Sequence, residues 1–248
     1  MNFSITHEFR YAYDSPVRLS TQYLRLTPRD TVRQKVLAWT LETPGTPLRT
    51  TDGYGNVLHV LTLDKPVGEI AICARGRVVT SSAVDDPSDF TGAPLPALVF
   101  LRETALTRTT DRVTSLAARY RASAGTLEGL RELAAGIRAA DPEGSAADAV
   151  HVFIACCRQL GVPARYVSGY VYFRGEANGQ ATLHAWAEAW SGTRWRSFDI
   201  ARNEPVGESH IKIAVGADYL DACPVRGVRV GGGSETLQAR AEVQATQQ

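Results

Sequence analysis

The apolar residues of this 248-residue chain change their period along its length, and that change limits the folds open to it. Over residues 1–80 the period is two. Phe3, Ile5, His7, Phe9, Tyr11 and Tyr13 alternate with mostly polar positions, as in a strand with one face in a core and the other in water. Ser15-Pro16 is expected to break this first strand. Tyr23 to Leu26, Val36 to Leu41, Val57 to Leu63 and Ile70 to Thr80 read as further strands. Asp52-Gly53-Tyr54-Gly55-Asn56 reads as a turn whose glycines permit positive φ. Short strands between turn signals predict an antiparallel, β-sandwich-like domain.

Residues 81–110 read as a linker, because Asp85, Asp86, Pro87, Gly92, Pro94 and Pro96 oppose regular structure. From residue 111 the period becomes helical. Val113, Leu116, Ala117 and Tyr120, then Leu127, Leu130, Leu133, Ala134 and Ile137, recur at helix spacing. His151 to Leu160 is an apolar helix stopped by Gly161. Three strands follow, Arg165 to Phe173, His184 to Trp190 and Trp195 to Asp199, the last two joined by a turn at Gly192-Thr193. Gly231 to Gly233 is a loop and not a phosphate loop, since neither lysine nor helix follows it. One more strand, Glu235 to Val243, precedes a polar tail.

The fold class is therefore α+β: an N-terminal antiparallel β-sandwich-like domain, then helices packed on an antiparallel sheet. The expected boundaries are 1–80 for the β-rich domain, 81–110 for the linker, 111–233 for the second domain, and 234–248 for the terminal strand and tail.

Composition excludes several functions. A net charge of +1 gives no electrostatic case for nucleic acid or an anionic membrane as partner. No apolar run reaches the roughly 18 residues of a membrane helix, and Met1 to Tyr13 lacks the cationic and apolar regions of a signal peptide. Cys73, Cys156, Cys157 and Cys223 are too few and too irregularly spaced for a disulfide framework or a zinc site. A reducing cytoplasm is the expected location, with no cofactor and no metal.

The second half carries part of a chemical constellation. Amide chemistry with a thiol needs a thiolate, best placed at a helix N-terminus where the dipole lowers its pKa. It also needs a histidine to share the proton and a carboxylate or amide to orient that histidine. Here a helix precedes two strands, the first bearing His184 and the second Asp199. A tight turn places such strands side by side, so imidazole and carboxylate can meet.

These residues sit in recognisable surroundings. Gly161-Val162-Pro163-Ala164-Arg165-Tyr166-Val167-Ser168-Gly169-Tyr170, His184-Ala185-Trp186-Ala187-Glu188 and Trp195-Arg196-Ser197-Phe198-Asp199 resemble the transglutaminase-like superfamily in its bacterial branch. So do Val206 to Ile211 and Ala214 to Tyr219. Tyr11, Ser15-Pro16, Leu24-Arg25-Leu26, Pro28 and Asp52 to Asn56 resemble that branch's N-terminal β-domain. The resemblance implies a papain-like, transglutaminase-like core and thiol-dependent acyl transfer or amide hydrolysis on a peptide or protein substrate. It implies no cofactor, and the Ca²⁺ sites of some relatives have no matching acidic loop here. His184 would serve as base and acid, with Asp199 orienting it.

The resemblance also marks what is missing. The family's nucleophile stands in the pattern Cys-x-Asp-x-x-His, which Asp148 and His151 place at Ala146. A second alignment, favoured by the short connection from Ile137 to Gly144, deletes the cysteine together with its loop. Both leave the chain without a nucleophile. Cys157 stands about 16 Å along the helix from position 146, at about 1.5 Å per residue, and Cys156 and Cys157 read as buried apolar residues. His151 and Asp148 are expected to shape the helix start and the cleft wall. Trp186, a candidate for the substrate cleft, is expected to pack in the core and cleft wall with Trp190 and Trp195, and His210 to be a structural or rim residue. His7 and His59 fit surface or core positions of the β-domain. The expectation is an inactive transglutaminase-like protein. The alternatives are a non-catalytic module that binds peptide or cell-wall material, and a damaged or altered version of an active enzyme, which the intact His and Asp motifs favour over long-standing adaptation. The sequence does not specify an oligomeric state.

Overall fold

A computed structural model describes residues 1–81, 95–173 and 182–246. The first element, β1, runs unbroken from Asn2 to Thr27. Ser15-Pro16 bends this strand and does not end it. Pairing with the neighbouring strand β5 (Val67–Thr80) shifts register between Ala12 and Val17, which is where a residue without an N–H costs least. The strand's first half pairs with β5 and its second half with β4 (Val57–Leu63). β2 (Gln34–Glu42) and β3 (Leu48–Thr51) flank them, in the order β2-β5-β1-β4-β3. The sheet curls until its two halves share one core, in which Phe9 and Tyr11 meet Leu24, Leu26, Leu61 and Ile72. No helix occurs before residue 81.

The expected linker differs from its reading. Residues 82–94, with most of its prolines and acidic residues, lie outside the described residues. Ala97–Leu101 form a 3-10 helix that buries Phe100 against Trp195. Three helices follow: α1 (Asp111–Ala118), α2 (Leu127–Ala140) and α3 (Ala146–Gln159). Each begins behind a hydroxyl residue, Thr110, Thr126 or Ser145, whose side chain accepts a backbone N–H of the first turn. α3 therefore starts at Ala146 and not at His151. Its first turn is Ala146, Ala147, Asp148 and Ala149, and alanines are strong helix formers that leave no mark on an apolar period. Gly161 ends it at φ +74, a conformation that suits glycine.

The helices cover one face of a second antiparallel sheet. Its strands are β6 (Ala164–Val171), β7 (Thr182–Ser191), β8 (Arg194–Asp199), β9 (Glu204–Pro205) and β10 (His210–Gly216), in the order β10-β6-β7-β8-β9. Ala185, Ala187 and Ala189 face the helices and leave room for Val150, Phe153, Ile154 and Cys157. Burying Phe153 alone is worth about 2–3 kcal/mol.

The chain then returns to its start. After α4 (Tyr219–Ala222), β11 (Val225–Gly231) and β12 (Glu235–Thr246) both pair with β1, giving the first sheet seven strands. A second domain ending at 233, followed by a strand and a loose tail, is thus corrected: residues 225–246 belong to the first sheet. Their mostly exposed side chains gave no core signal.

The two sheets are clamped together by side-chain amides. Gln34 accepts the N–H of Lys212 at 2.8 Å and donates to its carbonyl at 2.9 Å. Asn56 does the same to Val215, at 2.8 and 2.7 Å. These amides substitute for a neighbouring strand along the outer edge of β10. Asp52 holds Asn56 ready by accepting its backbone N–H at 3.0 Å and its side-chain N–H at 3.0 Å.

Candidate active site

Only Leu160 to Pro163 connect α3 to β6, so helix and strand run in opposite directions. The first turn of α3 therefore lies at the end of the sheet where β6 finishes and β7 begins. His184 is the third residue of β7, opposite Gly169 on β6. Asp199 closes β8 on the other side. The side chains meet, with His184 Nε2 2.8 Å from Asp199 Oδ2. The carboxylate has no exposure, and the imidazole keeps 10% of its surface open.

Asp199 has a second histidine, which sequence reasoning assigned to structure or the rim. His210 Nε2 lies 3.1 Å from the same Oδ2, and the ring is buried. The backbone N–H of Arg202 donates to Oδ1 at 3.1 Å, and the Arg202 guanidinium stands 4.0 Å from Oδ2. Burial alone would push the Asp199 carboxyl up. The hydrogen bonds from His184 and His210 overcome that and hold it far below the usual carboxylate range. Burial lowers the His210 pKa and favours its neutral ring. Its position inside Val206 to Ile211 was the available signal.

Trp186 does not line an open cleft. It is fully buried, packed with Val167 and Val215. Its ring stacks at 6.4 Å from His184 and meets His210 edge-on at 5.4 Å, so it supports the site from beneath. Gly169 has no side chain because a Cβ there would collide with that indole. A second buried polar group lies one step along the same face of β7. Glu188 accepts from Arg165 Nε at 2.7 Å and Ser197 Oγ at 3.2 Å, and pairs with Lys212.

The helix side of the site is different. Ala146 is half-buried and offers no reactive atom. Asp148 is exposed and occupied with the cap: its N–H donates to Ser145 Oγ at 3.1 Å, and its carboxylate accepts from that hydroxyl at 2.7 Å. His151 stacks on Tyr166 at 5.1 Å, and its Nε2 accepts the N–H of Tyr219 at 3.2 Å, pinning α4. Cys156 and Cys157 are fully buried in the body of α3. Burial pushes the Cys156 thiol up to about 12 and the Cys157 thiol well above its ordinary value. Cys223 is buried and raised for the same reason, and Cys73 lies on β5 in the first sheet.

Beyond Asp199 the surface forms a groove of about 730 Å³ between α2 and the β8–β9 edge, lined by Leu127, Trp195, Phe198, Pro205 and Arg33 among others. Among the described residues no group of His, Cys, Asp and Glu side chains could hold a metal ion. No described helix is long and apolar enough to cross a membrane.

Comparison with known proteins gives consistent results. Residues 3–79 match the family model of the bacterial transglutaminase-like N-terminal region. Residues 105–200 match that of the transglutaminase-like superfamily. An uncharacterised protein of Mycobacterium leprae is 29% identical over 274 residues, which take in 96% of this chain and 97% of that protein. An uncharacterised protein of Mycobacterium tuberculosis is 28% identical over 279 residues, covering 91% and 87%. Both alignments are longer than this 248-residue chain, so these relatives carry segments it lacks. Among solved structures, a candidate cysteine protease from Cytophaga hutchinsonii superposes with a TM-score of 0.74 at 20% identity, over 100% of this chain and 91% of the other.

Proposed function

The chain belongs to the transglutaminase-like superfamily and has a cysteine-protease-like fold, and on that premise we propose that it has kept the acid–base half of a thiol site and does not carry out thiol-dependent acyl transfer. The observation that carries this reading is the start of α3. That helix start holds no cysteine, whether the family's nucleophile aligns with Ala146 or is deleted with its loop, and all four thiols lie elsewhere, three of them buried. Without a thiol there is no atom to attack an amide carbonyl and no thioester to pass on. Losing the nucleophile of such a unit costs about 10⁶ in kcat. What remains can bind. A groove whose wall includes Asp199 is of the size that holds a segment of peptide, so the protein binds peptide or protein segments without cutting them.

The test is an assay for amine incorporation and amide hydrolysis on glutamine-containing and cell-wall-type peptides, with binding of the same peptides measured by calorimetry. The expected result is binding without turnover. Turnover abolished both by iodoacetamide and by His184→Ala would sink the proposal and direct attention to Cys156 or Cys157.

A further inference from the structure

The reading above accounts for His184 and Asp199 and leaves His210 without a role. We infer that His210 is a positioning residue: it shares the Asp199 carboxylate with His184, so that both rings present Nε2–H to the same oxygen and His184 Nδ1 is left bare. The inference rests on the retained acid–base half proposed above and goes beyond it, by assigning the protons of the cluster and the group that sets them.

The assignment starts at the backbone. The N–H of Gly207 points at His210 Nδ1 from 3.2 Å, and Ser209 Oγ lies at the same distance. A peptide N–H can only donate, so Nδ1 must be the acceptor and the ring proton must sit on Nε2. That N–H is then aimed at Asp199 Oδ2, 3.1 Å away. The geometry is fixed from below by the turn, which the His210 N–H closes onto the Gly207 carbonyl at 3.0 Å. His184 Nε2 lies 2.8 Å from the same oxygen, and a lone pair there would face a carboxylate lone pair. His184 must therefore carry its proton on Nε2 as well, which leaves Nδ1 as the bare nitrogen of the neutral ring.

The consequence is electrostatic. A carboxylate that faces one imidazole stabilises that imidazolium with its whole charge. Asp199 spreads its charge over two ring N–H groups and the Arg202 N–H, so it pulls less on the proton that His184 would take up. The charged groups that face this cluster are Arg202 next to Asp199, and Arg33 and Lys212, which line a small cavity with His210. Glu188 pairs with Lys212. These groups are the same in every variant below.

The test is ¹⁵N NMR of the imidazoles in the intact chain and in two variants. In the wild type at neutral pH, both His184 and His210 should show a protonated Nε2 and a bare Nδ1. His210→Phe removes the shared donor and should raise the proton affinity of His184 about tenfold, read as an upward move of its titration midpoint. His210→Gln returns an N–H to nearly the same place and should restore the wild-type midpoint, which a merely space-filling role would not predict. A proton on His210 Nδ1 in the wild type overturns the inference even if His210→Phe fails to fold. So does an unchanged His184 titration in a folded His210→Phe protein. Peptide turnover by the wild type would defeat the proposed function alone, since the NMR experiment reads the protons with or without turnover.

Discussion

The two sides of the site are built to different standards. On the sheet side, Asp199, His210 and Trp186 are all fully or nearly fully buried, and the carboxylate takes hydrogen bonds from two rings and a backbone N–H. On the helix side, Ala146 occupies a half-buried first turn whose cap is made by Ser145 and Asp148 without its help. The difference explains how one half could be lost and the other kept. Deleting a partner of a buried carboxylate leaves a charge or donors stranded, whereas alanine in the first turn of a helix costs almost nothing. The His184 and Asp199 motifs can thus persist on stability alone, and their presence does not mark the chain as a recently damaged enzyme.

That account makes its largest prediction at Asp199. Asp199→Ala leaves the ring N–H groups of His184 and His210 and the N–H of Arg202 without that acceptor, in largely buried surroundings. At about 1–3 kcal/mol for each stranded donor, the loss should be about 4 kcal/mol, measured by urea unfolding at pH 7. A loss below about 1 kcal/mol would mean that the sheet side is no more tightly built than the helix side, and the comparison would fail.

Acid should separate the same carboxylate from the buried histidines. Burial lowers His7 to about 4, and its Nδ1 lies 2.8 Å from the Tyr170 hydroxyl where the two sheets meet. The unfolded chain takes up a proton at His7 below about pH 6.5, and the folded chain does so only near pH 4. Unfolding is therefore favoured as pH falls through that window, by about 3 kcal/mol from this group. His59, His151 and His210 are lowered by burial too and act in the same direction. Asp199 has a depressed pKa, so its contribution is complete above about pH 5 and is lost only below about pH 4. His7→Gln should make the loss of stability between pH 6.5 and 4 smaller by about 3 kcal/mol, leaving the part due to the other buried histidines, and keep the fall below pH 4 intact. A curve unchanged in the upper window would remove His7 from this account.

The sequence exposed these features unevenly. His184 and Asp199 were legible because each lies in a specific motif and a short turn brings their strands together. The first half of β1 was legible from alternation, and β4 and β5 from short runs between turn signals. His210 was not, since a histidine on an all-buried strand has no period of its own, and its partner lies on β8, which is not a neighbour of β10 in the sheet. Trp186 looked like a cleft wall because an aromatic next to a motif histidine carries no sign of which side it faces. β11 and β12 could not be assigned to the first sheet, because long-range pairing is decided by the edge that accepts them. The role of Asn56 was hidden in the same way: a turn asparagine is common, and only the position of Val215 shows that it substitutes for a strand.

The smallest effect should come from refilling the empty position. Ala146→Cys adds one sulfur atom at a half-buried site in the first turn of α3, where the cap is already made. Its stability should stay within about 0.5 kcal/mol of wild type, as for surface changes that disturb no cap or core contact. Its reactivity should differ sharply from that of the native thiols. At the start of a 14-residue helix the backbone dipole favours a thiolate, whereas burial holds Cys156 and Cys157 protonated. Iodoacetamide labelling at pH 7, in a Cys73→Ala background that removes the half-buried thiol of β5, should therefore mark position 146 first. If the introduced thiol is also quickened by His184, the rate should fall several-fold in a His184→Ala background, because the proton would lose its acceptor. A fast label that is indifferent to His184 would show that the helix start is exposed without facing the sheet side, as expected if the loop that aims the nucleophile has been deleted. A drop in stability above about 1 kcal/mol would show instead that the fold has closed around the alanine, and that the helix side, like the sheet side, is held by packing.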